Sequence, residues 1–110
     1  MIAAPLIAAA LASTPVGIGE SEWQIDVYRP AIRAGTVRFN VSNDGEDTHD
    51  LQVVDPTGRA VAQSPDVRSG DRFTLRARLR RPGTYVLLCT KPGHAALGMR
   101  ATLRVKRAQH

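Results

Sequence analysis

Apolar and polar residues alternate with period two along most of this chain. Trp23, Ile25 and Val27 alternate with polar neighbours, and Val37, Phe39 and Val41 do so opposite Arg38, Asn40 and Ser42. His49, Leu51 and Val53 form a third set, and Phe73, Leu75, Ala77 and Leu79 a fourth. Tyr85, Leu87 and Cys89 form a fifth; Met99, Ala101, Leu103 and Val105 a sixth. Successive side chains of a strand point to opposite faces, so each set predicts a half-buried strand. Val86 and Leu88 are apolar too, which predicts that the Tyr85–Cys89 strand is central and covered on both faces. No segment carries a helical stripe, although residues 59–68 have room for a short helix or an irregular edge strand.

Turn chemistry separates the sets: Arg33-Ala34-Gly35, Asn43-Asp44-Gly45, Asp55-Pro56-Thr57-Gly58, Ser69-Gly70-Asp71 and Arg81-Pro82-Gly83. Short strands with regular turns predict an all-β fold, an antiparallel β-sandwich. The stretch 55–69 is long for a hairpin and is expected to carry the chain between the two sheets. Residues 23–107 are read as the domain. Residues 13–22 are small, polar and Gly-rich and read as a linker. Residues 1–12 form a short apolar run ending Ala-Leu-Ala, read as a signal segment without the usual basic start. That run is shorter than the roughly 20 apolar residues needed to span a bilayer. Residues 108–110 read as a mobile tail.

The chain has 110 residues and one cysteine, Cys89, so an internal disulfide is excluded. Cys89 opens the stretch Cys-Thr-Lys-Pro-Gly-His-Ala-Ala-Leu-Gly-Met, which also holds His94 and Met99. A second imidazole, His49, lies far upstream. His49, Cys89 and Met99 are each in phase with the core-facing positions of their strands and stand at strand ends. Antiparallel pairing brings those ends to one pole, and His94 reaches it from the loop. Two imidazoles, one thiolate and a weak thioether are the ligand set of a blue-copper site. Zinc also accepts tetrahedral nitrogen and sulfur ligands, but the Met makes it the weaker choice. Taken singly, a buried Cys, Met or His is ordinary core filling; the chemistry lies in the four together.

The formal net charge is +5, mostly from Arg. No nucleic-acid motif accompanies it. Arg76, Arg78 and Arg80 share a strand face and read either as a solvated edge or as a surface for an acidic partner. Asp44, Glu46, Asp47 and Asp50 match no calcium loop and read as a solvated turn.

The Cys89–Met99 loop, preceded by Pro82-Gly-Thr-Tyr-Val-Leu-Leu, resembles the copper loop of the cupredoxins, the plastocyanin and azurin group. Phe39–Asn43 followed by His49-Asp-Leu resembles that family's first-histidine region, and Ser69–Leu75 its middle strand entry. The likeness spans roughly residues 23–107. It implies a Greek-key sandwich and one type 1 copper ion held by His49, Cys89, His94 and Met99. It also implies an electron carrier with electrons passing at His94; with the signal segment read over residues 1–12, the expectation is a small exported monomer in the periplasm or outside the cell, with transient redox partners. Asp50 stands where the family often has Asn, and its carboxylate is expected to accept a bond from Thr90. Storage or delivery of copper is the alternative use of the same ligands. An enzyme is not expected, because the copper enzymes of this type need further histidines and Leu88 and Thr90 flank Cys89.

Overall fold

A computed structural model describes residues 12–108. The signal segment expected over 1–12 and the tail expected over 108–110 lie almost entirely outside them. Nine strands occur among the described residues: β1 Thr14–Ser21, β2 Gln24–Val27, β3 Ala31–Arg33, β4 Gly35–Asn43, β5 Gln52–Val54, β6 Ala60–Gln63, β7 Arg72–Leu79, β8 Gly83–Leu88 and β9 Arg100–Lys106. One sheet has the order β2-β1-β4-β7 and the other β3-β9-β8-β5-β6. The expected all-β, two-sheet architecture is therefore present.

Both sheets are mixed rather than purely antiparallel. β1 runs parallel to β4, from Thr14 opposite Val37 to Glu20 opposite Asn43, and β3 runs parallel to β9. The other ladders are antiparallel, including β4 with β7 and β8 with both β5 and β9. The alternation read from the sequence faces inward as expected. Val37, Phe39 and Val41 of β4 bury against Tyr85 and Leu87 of β8 and Leu103 of β9 in one core. Each such side chain contributes about 1.5–3 kcal/mol when removed from water.

The stretch read as a linker is instead β1, flanked by β2 and β4 within its sheet. Val16, Ile18 and Glu20 point inward and are buried. Gly17 and Gly19 lie on the outer face, where Tyr28 packs closely over both. A strand whose outward positions are glycines and whose last inward residue is a carboxylic acid does not show the usual alternation, which is why it read as loop. The 59–68 segment supplies the short strand β6 and an isolated bridge between Val67 and His49. The registers bring the ends of β1, β4 and β8 and the starts of β5, β7 and β9 to one pole of the sandwich.

Candidate metal centre

Asn43, the last residue of β4, sets the loop that delivers His49. Its buried amide donates to the carbonyls of Asp47 and Val67, both at 2.8 Å, and its Oδ1 accepts from Gly45 N–H at 2.9 Å. His49 then pairs with Val67 through both backbone bonds, at 3.1 and 2.7 Å. The imidazole is therefore carried on a backbone fixed at both ends of its loop, and it is fully buried.

Cys89 follows the last residue of β8. Its N–H donates to Met99 C=O at 3.2 Å, and Met99 N–H donates to His94 C=O at 3.1 Å. Between them lies a single turn of helix, α1 (His94–Leu97), missed in the sequence because four residues carry no periodic stripe. Gly93 begins the turn at φ 81° and Gly98 ends it at φ 130°, conformations that L side chains rarely adopt. A Cβ on Gly98 would also lie 2.6 Å from the carbonyl oxygen of Trp23. Lys91 ties the loop sideways by an ion pair to Asp66 at 2.6 Å. Backbone bonds from Cys89, His94, Leu97, Gly98 and Met99 all end within this loop, so it is held in shape by its own main chain.

Three donor atoms meet at this pole. Cys89 Sγ lies 3.5 Å from His94 Nδ1 and 3.9 Å from His49 Nδ1, and the two Nδ1 atoms are 3.1 Å apart. His49 Nε2 faces Glu22 Oε2 at 2.5 Å, which assigns the proton to Nε2 and leaves a lone pair on Nδ1. His94 Nε2 likewise faces a carboxylate, that of Asp47, at 3.8 Å. Two ring nitrogens turned toward each other beside a sulfur repel unless a proton or a cation sits among them. The donor set thus fits a cation that accepts nitrogen and sulfur. Met99 is fully buried in the same loop, joined by backbone bonds to Cys89 and His94.

Burial pushes the Cys89 thiol up, helped by the negative charges of Asp50 and Glu20 and opposed by the backbone N–H groups of Asp50 and Lys91. The expected bond from Thr90 to Asp50 is present. Thr90 donates its N–H to Asp50 Oδ1 at 2.6 Å and its hydroxyl to Oδ2. The two ligand-bearing loops are therefore tied together at the carboxylate of Asp50. Behind them Glu20 is buried with neither oxygen hydrogen-bonded among the described residues.

The structure brings His49, Cys89 and His94 into one cluster, their donor atoms within 4.8 Å of one another. In the loop that carries the half-buried His94, Pro92, Ala96 and Leu97 are exposed and Ala95 is half-buried. Sequence reasoning missed Glu22 and Trp23. Trp23 was placed as an inward strand position, yet it lies in the β1–β2 turn and is 37 % exposed. Its ring meets His94 edge to face at a centroid distance of 4.8 Å. No local pattern signals either contact, because both depend on how β1 lies against the two ligand loops.

A two-sheet sandwich with this loop at its pole is the fold of the cupredoxins, and the resemblance carried by the 89–99 loop holds at the level of structure. No family model matches the sequence. Among known proteins the chain is similar to auracyanin-B of Chloroflexus aurantiacus, 34% identical over 67 residues. That match takes in 59% of this chain but only 28% of the relative's length. The solved auracyanin of Roseiflexus castenholzii superposes with a TM-score of 0.74 at 24% identity, covering 86% of this chain and 98% of that one. Auracyanin A of Chloroflexus aurantiacus, a "blue" copper protein, gives 0.73 at 21% identity, covering 86% and 100%.

Proposed function

We propose that this chain binds one copper ion as a type 1 centre and carries single electrons, with His49, Cys89, His94 and Met99 as its ligands. The convergence of Cys89 Sγ and two Nδ1 atoms at one buried pole carries the reading. A thiolate, two imidazoles and a weak thioether suit copper in both oxidation states. The likeness to auracyanins, one of them a blue copper protein, supports the same ion.

Copper supplies the one-electron couple when bound; the side chains supply rigidity and access. The ligand backbones are held by their own hydrogen bonds and by Asn43, so little needs to move when charge changes. His94 provides the access. Its side chain is 13 % exposed at the pole, with Trp23 against its ring and exposed Pro92, Ala96 and Leu97 in the same loop. Such a small apolar rim suits brief docking of another redox protein, and a net charge of +5 would speed encounter with acidic ones. An electron carrier, rather than an enzyme, is supported by the histidine count. Beyond the two ligands only His110 remains, so no second copper set can be built from this sequence. Export to the periplasm or beyond and a monomeric state complete the proposal. The apolar run of residues 1–12 supports export, and no helix among the described residues is long and apolar enough to cross a membrane.

The test is addition of Cu(II) to purified metal-free protein. An intense visible sulfur-to-copper band is expected, lost in Cys89→Ser. The loaded protein should keep its copper through repeated reduction and oxidation. Absence of the band, or loss of the metal to a competing chelator on the first reduction, sinks the carrier reading.

A further inference from the structure

The carboxylate of Glu22 is the best-supported group in the site that the ligand set leaves unused. It stands just after β1, in the turn to β2. Oε1 accepts the N–H of Glu46 at 2.7 Å, and Oε2 accepts that of Asp47 at 3.4 Å. Gly45 clears the space: a Cβ there would collide with the carboxylate. From this cradle Oε2 reaches His49 Nε2 at 2.5 Å, and Glu22 is itself only 24 % exposed. Three separate stretches (the β1–β2 turn, the 45–47 loop and His49) are thus fitted around one negative charge.

We propose that Glu22 is a positioning residue that sets which oxidation state of the bound ion this site prefers. The inference rests on the copper reading above. Holding the Nε2 proton of His49 aims Nδ1 at Cys89 and His94 and makes the ring a stronger donor, as carboxylate partners of metal-bound histidines do. A stronger, more electron-rich donor favours the more highly charged ion, so Glu22 stabilises Cu(II) over Cu(I). The rival account is purely mechanical: Glu22 pins the 45–47 loop and matters only for folding. The two accounts part at the reduction potential. A mechanical prop affects both ions alike, whereas a charge acting through His49 does not.

The experiment compares wild type with Glu22→Gln, which keeps an acceptor oxygen but loses the charge. Cu(II) and Cu(I) affinities, the reduction potential and thermal unfolding of the metal-free protein are measured. Cu(II) affinity is expected to fall about 10- to 100-fold. Cu(I) affinity should fall less. Each tenfold loss borne by Cu(II) alone reads as a rise of about 59 mV in a one-electron potential. Glu22→Asp keeps the charge but withdraws it, and should fall between the two; it also serves if the Gln variant fails to fold. An unchanged potential in whichever variant folds, with both affinities lowered equally, overturns the proposal. A wild-type protein with no sulfur-to-copper band would sink the copper reading itself, which keeps the two failures distinguishable.

Discussion

Replacing Glu20 by Gln should abolish a pH dependence of stability that the wild-type fold carries. Glu20 ends the inward series of β1 and is fully buried, with both carboxyl oxygens unpaired among the described residues. Loss of hydration pushes its carboxyl up to about 8, and repulsion from Asp50 adds to the effect. In the unfolded chain the same group titrates near 4.5. Between those values the folded protein holds a proton that the unfolded chain has released. Stability is therefore full below pH 4.5 and falls as pH rises to about 8, by about 1.4 kcal/mol per pH unit. Over the whole span the loss is about 5 kcal/mol, a large part of the roughly 5–15 kcal/mol that holds a domain together. Urea unfolding of metal-free wild type and Glu20→Gln, from pH 5 to pH 9, measures it. The difference between the two curves cancels the titrating groups that do not interact with Glu20, leaving Glu20 and its coupling to Asp50 and Cys89. Wild type should lose ground steadily against the variant up to about pH 8 and then level off. Parallel curves across that range would show that Glu20 is ionised in the fold at neutral pH, and the reasoning would be wrong.

Asp50→Asn should raise the reduction potential of the copper-loaded protein, because it removes a buried negative charge that binds Thr90 beside Cys89; voltammetry showing no change or a fall would refute this. Asn43→Ala removes three hydrogen bonds at the base of the His49 loop and should cost about 3 kcal/mol in denaturant unfolding. A cost below about 1 kcal/mol would mean that water replaces the amide. Trp23 is the sole tryptophan, and its ring meets that of His94. Its fluorescence should be quenched when Cu(II) is added to metal-free wild type but not when it is added to Cys89→Ser; equal quenching in both would place the metal elsewhere.

Much of this molecule is written in local order. The period-two sets around Phe39, Leu75, Leu87 and Leu103 became β4, β7, β8 and β9, since alternation depends only on neighbouring residues and on which face meets the core. The Cys89–Met99 loop is likewise readable, because its ligand types sit within one short stretch. Even the bond between Thr90 and Asp50 follows once two strand ends are placed side by side.

Contacts set by register were not legible. β1 was hidden because Gly17 and Gly19 show no side chain outward and Glu20 turns inward, and its parallel partner β4 lies beyond the intervening strands β2 and β3. Once β1 is in place, its last turn delivers Glu22 to one imidazole and Trp23 to the other. The sequence by itself determined most of the strands and singled out four candidate donor residues, since both follow from residue type and spacing along the chain. Only the tertiary structure decided what surrounds those donors, since a carboxylate and an indole carry no mark of the side chain they will meet until distant strands have locked into register.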